Sequence, residues 1–163
     1  MTIFNRLSNL CPTICKKGLS CSFMSYVKIF VHSVWCTKNR FPFLKKTILP
    51  VVISHITQNA AKKGIYIDRL NGYTDHLHCL LSLPVEMTIA KAMNLIKGES
   101  SYWINKQKLT TTHFEWADEY YAAGVSNSLI NKVRRYIDNQ KCHHEKKMFE
   151  QVYREFNTIH NRL

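Results

Sequence analysis

Two runs that read as β-strands, Ile65 to Tyr73 and His76 to Leu83, are separated only by Thr74-Asp75. So short a connection makes a β-hairpin, and Pro84, which cannot donate to a ladder, ends the second strand. The hairpin commits the chain to an antiparallel pair around which the other segments have to pack. Within its second strand, alternation sends His76 and His78 to one face and Leu77 to the other. Two imidazoles one strand step apart on one face can grip a single cation. Alone, such a pair is more often a chance or edge pair than a metal site.

The remaining elements follow from their periods. Tyr26 to Cys36 is rich in β-branched and aromatic residues and predicts a central strand, followed by a basic loop, Thr37-Lys38-Asn39-Arg40-Phe41-Pro42. From about Lys45 to Lys63 the apolar residues Ile48, Leu49, Val52, Ile56 and Ala60 recur at helical spacing, and Gly64 supplies a stop. Thr88 caps a second helix through Ile89, Ala92, Met93 and Ile96 toward Trp103, with Gly98 loosening its middle. After a polar tract at 105–112, Phe114-Glu115-Trp116 predicts a fourth strand, Gly124 a turn, and Ser126 or Ser128 the cap of a long final helix reaching about Asn157. Strand, helix, hairpin, helix, strand, helix is the order of an α+β ferredoxin-like split βαβ sandwich. It has an antiparallel sheet with helices on one face, plus the long C-terminal helix.

At 163 residues and 45% apolar content the chain suits one domain with a core that needs no disulfides. Residues 1–23 lack a sustained period and are expected to be a poorly ordered extension, leaving 24–163 as the domain. The net charge of +12 points to an anionic partner, nucleic acid before a membrane surface. Removing the extension's Arg6, Lys16 and Lys17 leaves 20 basic against 11 acidic residues, or +9, so the argument rests on the domain. No apolar run approaches the ~20 residues needed to span a bilayer, so the chain is expected to be soluble, with nucleic acid and no membrane as its partner. Cys11, Cys15, Cys21, Cys36, Cys79 and Cys142 follow no disulfide framework. They read as reduced thiols in a cytoplasmic protein. Cys11-x3-Cys15-x5-Cys21 lacks the fourth ligand and the CxxC knuckle of a zinc site.

In the final helix Leu129, Val133, Tyr136, Ile137, Gln140, His144 and Met148 form an inward stripe at spacings of three and four. Tyr136 and Gln140 stand one turn apart on it. An amide on an apolar stripe costs free energy unless it finds partners, and a cation held by the two histidines would be one.

These residues together resemble a known family. His76-Leu77-His78 is similar to the His-hydrophobic-His motif of HUH nucleases, and Tyr136-Ile137-Asp138-Asn139-Gln140-x-x-His143-His144 resembles the nucleophile helix of single-tyrosine HUH transposases. The resemblance runs from about Met24 to His144 and includes His32 to Arg40 and Lys97-Gly98-Glu99-Ser100-Ser101. It implies that His76, His78 and Gln140 ligate a divalent ion, Mg²⁺ or Mn²⁺, and that Tyr136 is the nucleophile. It further implies cleavage and rejoining of single-stranded DNA at hairpin-bearing insertion-sequence ends through a 5′-phosphotyrosine, carried out by a homodimer. A tyrosine with an ordinary pKa near ~10 needs activation at neutral pH, from the ion or from Lys132 one turn back.

Two rival functions stand beside this expectation. A domesticated relative acting on repeated palindromes would use the same chemistry in another role. A non-catalytic nucleic-acid-binding ferredoxin-like module would carry exposed aromatics in a short Gly-rich signature, which this sequence lacks, and would leave Gln140 unexplained. Arg40, Lys97, Arg134 and Arg135 are candidates for phosphate contacts. Trp103 is a candidate for base stacking, whereas Trp35 and Trp116 read as core.

Overall fold

The structure is a computed structural model that describes residues 28–140. The expected extension at 1–23 and the end of the expected final helix, with His143, His144 and Met148, lie outside the described residues. The elements are β1 (Phe30–Cys36), α1 (Leu49–Lys62), β2 (Tyr66–Gly72), β3 (His76–Ser82), α2 (Ile89–Lys106), β4 (Tyr121–Val125) and α3 (Ile130–Asp138), with a 3-10 turn at Lys38–Arg40. The four strands form one antiparallel sheet in the order β2-β3-β1-β4, the ferredoxin-like arrangement expected from the element order.

The local signals act as their chemistry dictates. Gly64 takes φ 74°, its N–H donates to the Ala61 carbonyl and Ile65 N–H donates to the Ala60 carbonyl, which is a Schellman ending for α1. The Thr88 side chain accepts from Lys91 N–H at 3.2 Å and starts α2, which runs through Gly98 without interruption.

β3 and β1 lie in the middle of the sheet, so both of their faces are covered. On one face Val31, Trp35, Leu77, Cys79 and Leu81 pack against Val52, Ile56 and Ala60 of α1 and Ala92, Met93, Ile96 and Ile104 of α2. On the other, Phe30, Leu80 and Val125 pack against Ile130, Val133, Tyr136 and Ile137 of α3. The two crossover helices thus share one face as expected, and α3 covers the opposite one.

Two expectations at the C-terminal side are corrected. The fourth strand is Tyr121–Val125, not Phe114 to Trp116, and Gly124 lies within it rather than at a turn. Ala122, Ala123 and Gly124 have little β-propensity; their pairing with the row Phe30 to Val34 of β1 decides the matter. Phe114 and Trp116 serve the core instead, Trp116 edge-on to Trp35 with ring centroids 5.9 Å apart, and their segment pairs beside the end of β1 as an isolated bridge between Trp116 and Thr37. Neither Ser126 nor Ser128 caps α3, since their hydroxyls bond each other at 3.0 Å and Leu129 holds the cap position. α3 itself ends at Asp138, with Asn139 outside helical geometry at ψ 14°, so the expected continuous helix is interrupted before Gln140.

Candidate active site

His76 and His78 project from β3 onto the face covered by α3, and both are buried. Their rings lie 5.2 Å apart, nearly perpendicular. Directly above, the Tyr136 ring stands edge-on to His78 at 5.4 Å. Three of the four residues singled out in the sequence are therefore brought together by pairing β3 into the sheet and laying α3 across it. Gln140 is fully buried one turn beyond Tyr136, and its Nε2 donates to the Tyr136 carbonyl at 3.1 Å.

A turn of unusual backbone supports His76. Asn39 and Arg40 adopt φ 53° and 56°, a left-handed conformation that costs a non-glycine residue about 1–2 kcal/mol. Thr37 stabilises it: its N–H donates to the Asp75 carbonyl at 2.8 Å and its hydroxyl donates to the Phe41 carbonyl at 2.7 Å. The basic loop is thereby docked on the hairpin turn. From there Arg40 grips Asp75 Oδ2 through Nη2 at 2.6 Å and Nε at 2.9 Å, while Asp75 Oδ1 meets His76 Nδ1 at 2.6 Å. Burial pushes the Asp75 carboxyl up, but the hydrogen bond and charge of His76, with Arg40 behind them, outweigh it and hold the pKa at about 2. Asp75 is thus more than a turn residue; it fixes the orientation of the His76 ring.

β2 fastens the helix that carries Tyr136. A register shift between Ile67 and Arg69 turns both Asp68 and Arg69 toward α3. Asp68 receives Arg134 Nε at 2.7 Å and Nη2 at 3.0 Å, and Arg69 reaches Asp138 at 3.4 Å. Asn71, directly opposite His78 in the ladder, donates from Nδ2 to the Ile137 and Asp138 carbonyls at 3.0 and 3.2 Å, closing the C-terminal end of α3.

The residues fit a divalent ion in part through an orphaned atom. Gln140 Oε1 is buried and has no hydrogen-bond partner among the described residues, the condition a cation would relieve. No three His, Cys, Asp or Glu side chains among the described residues group to hold a metal, so among these residues a third protein ligand would be of another type, such as the Gln140 amide. Two imidazoles and an amide oxygen suit Mn²⁺ better than the harder Mg²⁺.

Most of the cations proposed for phosphate are spent internally. Arg40 is held by Asp75 and Arg134 by Asp68, while Lys97 donates to the Asp118 carbonyl at 2.7 Å. Arg135 and Lys132 are exposed. Trp103 stacks on His55 with centroids 3.8 Å apart. The sequence reading missed His32, buried on the α3 face of β1, with Nε2 3.2 Å from His78 Nδ1. Strand alternation places it on a face, but only the register of β1 against β3 shows which.

A family model described as "Transposase IS200 like" matches residues 25–140, most of the chain. This chain belongs to the IS200-like transposase family. The ISDra2 transposase TnpA of Deinococcus radiodurans is 26% identical over 115 residues, covering 67% of this chain and 81% of the relative. The IS200 transposase of Salmonella typhimurium is 33% identical over 96 residues, 55% of this chain and 60% of its own length, so the match spans less than two thirds of that relative. Among solved structures, a candidate transposase from Deinococcus radiodurans R1 superposes with TM-score 0.59 at 22% identity, covering 77% of this chain and 97% of that one. A REP-associated tyrosine transposase bound to a REP hairpin superposes with TM-score 0.51 at 16% identity, covering 74% and 69%. At those identities the likeness is one of fold. The transposase has no described helix long and apolar enough to cross a membrane.

Proposed function

We propose that this transposase cleaves and rejoins single-stranded DNA at hairpin-bearing insertion-sequence ends, with Tyr136 as nucleophile and His76, His78 and Gln140 as ligands of a divalent cation, Mn²⁺ or Mg²⁺. The observation that carries the reading is the shared buried face on which the Tyr136 ring lies 5.4 Å from His78 and His78 lies 5.2 Å from His76. A hairpin substrate is supported by the REP hairpin bound to the structurally similar REP-associated transposase.

When bound, the cation supplies Lewis-acid polarisation of the scissile phosphate and neutralises charge growing on its oxygens. Tyr136 Oη gives its proton to water and attacks the phosphorus in line; the new O–P bond forms as the bond to the 3′ oxygen breaks. That oxygen takes a proton back from water and leaves as a 3′-OH, so no net proton is gained or lost. The 5′-phosphotyrosine keeps the energy of the broken backbone bond, so a 3′-OH attacking it restores a phosphodiester without ATP. Asp75 and Arg40 hold His76 in orientation throughout. Tyr136 is 7% exposed, so α3 has to shift when a phosphate enters. The working unit is a homodimer, which light scattering on the purified chain measures.

Incubating the protein with hairpin-bearing single-stranded DNA and Mn²⁺ gives a covalent adduct stable to denaturation, and Tyr136→Phe abolishes it. An adduct that persists in Tyr136→Phe overturns the assignment of the nucleophile.

A further inference from the structure

We propose that His32 is the positioning residue for His78, accepting a hydrogen bond from its Nδ1 so that His78 offers Nε2 to the divalent cation. This rests on the metal reading above.

The geometry is a cross-strand one. In the β1–β3 ladder Val34 stands opposite His78 and His32 opposite Leu80, so His32 is the diagonal neighbour of His78 on the face under α3. The two rings are 5.4 Å apart and tilted by 37°, with His32 Nε2 3.2 Å from His78 Nδ1. Both are buried. An imidazole that holds a cation through Nε2 carries its proton on Nδ1, which needs an acceptor; His32 Nε2 stands at that place. The His32 proton is then on its own Nδ1.

His76 shows the same plan with a different acceptor, since its Nδ1 meets Asp75 Oδ1 at 2.6 Å. Each histidine therefore has Nδ1 set against a neighbour, and Nε2 is the nitrogen assigned to the cation. The geometry makes His32 a partner of His78 rather than a third ligand, because His32 Nε2 is the atom that faces His78 Nδ1. One acceptor is a carboxylate and the other a neutral ring, so His32 orients without adding charge. The amide oxygen of a glutamine can substitute for it, and a phenyl ring cannot.

The test uses the full chain with His32→Phe and His32→Gln. Long-range proton–nitrogen spectra of metal-free wild type show His78 as the Nδ1–H tautomer, and His32→Phe loses that preference. Mn²⁺ affinity, read from the spin-resonance signal of free Mn²⁺, falls about tenfold or more in His32→Phe. In His32→Gln it stays within about threefold of wild type. A wild-type His78 found as the Nε2–H tautomer overturns the proposal, as does undiminished binding in His32→Phe or equal loss in both variants. The wild-type spectrum scores it even if His32→Phe fails to fold. Wild type that binds no Mn²⁺, or binds it equally well after His76→Ala, overturns the metal reading together with this one. Binding that requires His76 but ignores position 32 overturns this one alone.

Discussion

Arg134 of α3 holds Asp68 of β2 with two nitrogens, Nε at 2.7 Å and Nη2 at 3.0 Å, and this pair ties the helix of Tyr136 to the edge of the sheet. The helix's apolar contacts, through Ile130, Val133 and Ile137, are separate from it. Arg134→Ala therefore keeps the apolar packing of α3 and loosens the placement of Tyr136. Misplacing a reacting group by about 1 Å costs up to about 10²-fold in rate. The expected outcome is a fall in cleavage rate of that order together with a drop in Tm, because Asp68, only 5% exposed, loses the partner of its buried charge. Asp68→Asn should match the fall in rate, and the double variant should add nothing further to it, since one interaction is lost in all three.

Gly72 bounds the hairpin turn that presents Asp75 and His76. A Cβ there would run into the His76 carbonyl oxygen and sit 2.8 Å from a Leu77 methyl, and backbone cannot yield as a side chain does. Gly72→Ala is expected to cost about 1–3 kcal/mol, as overpacking does, and to displace His76. Chemical denaturation measures the first effect and Mn²⁺ affinity the second.

Removing the metal should separate binding from chemistry. Chelation with EDTA is expected to abolish the covalent adduct while leaving hairpin DNA bound, because the domain's net positive charge recognises the backbone without the ion. Adding Mn²⁺ restores the adduct in wild type and fails to do so in His76→Ala. Gel shift and denaturing electrophoresis on the same samples read both quantities.

Cys79 gives a pH prediction with a definite sign. Burial pushes its thiol far above the ordinary value of 9.0, with the charge of Asp68 adding to the rise. The native thiol stays protonated where the unfolded one ionises, so its contribution to stability is complete below about pH 9 and declines as pH rises further. The slope is about 1.4 kcal/mol per pH unit. Denaturation between pH 8 and 10.5 should therefore show a steeper alkaline loss in wild type than in Cys79→Ala. Peptide mapping after native alkylation should find Cys79 protected.

The sequence by itself determined the class of fold and half of the site. The two-residue link at Thr74-Asp75 forces the hairpin, Gly64 and Thr88 mark helix ends by chemistry local to the backbone, and strict alternation puts His76 and His78 together. These are short-range signals that need no partner. Ala122-Ala123-Gly124 became a strand only because β1 had an open edge, which displaced the expected strand at Phe114 to Trp116. His32 came beside His78, and Asp68, Arg69 and Asn71 came under α3, through strand register and one bulge. Register is set by which faces are buried against each other, a property of the assembled sheet, so no reading of one strand alone can supply it.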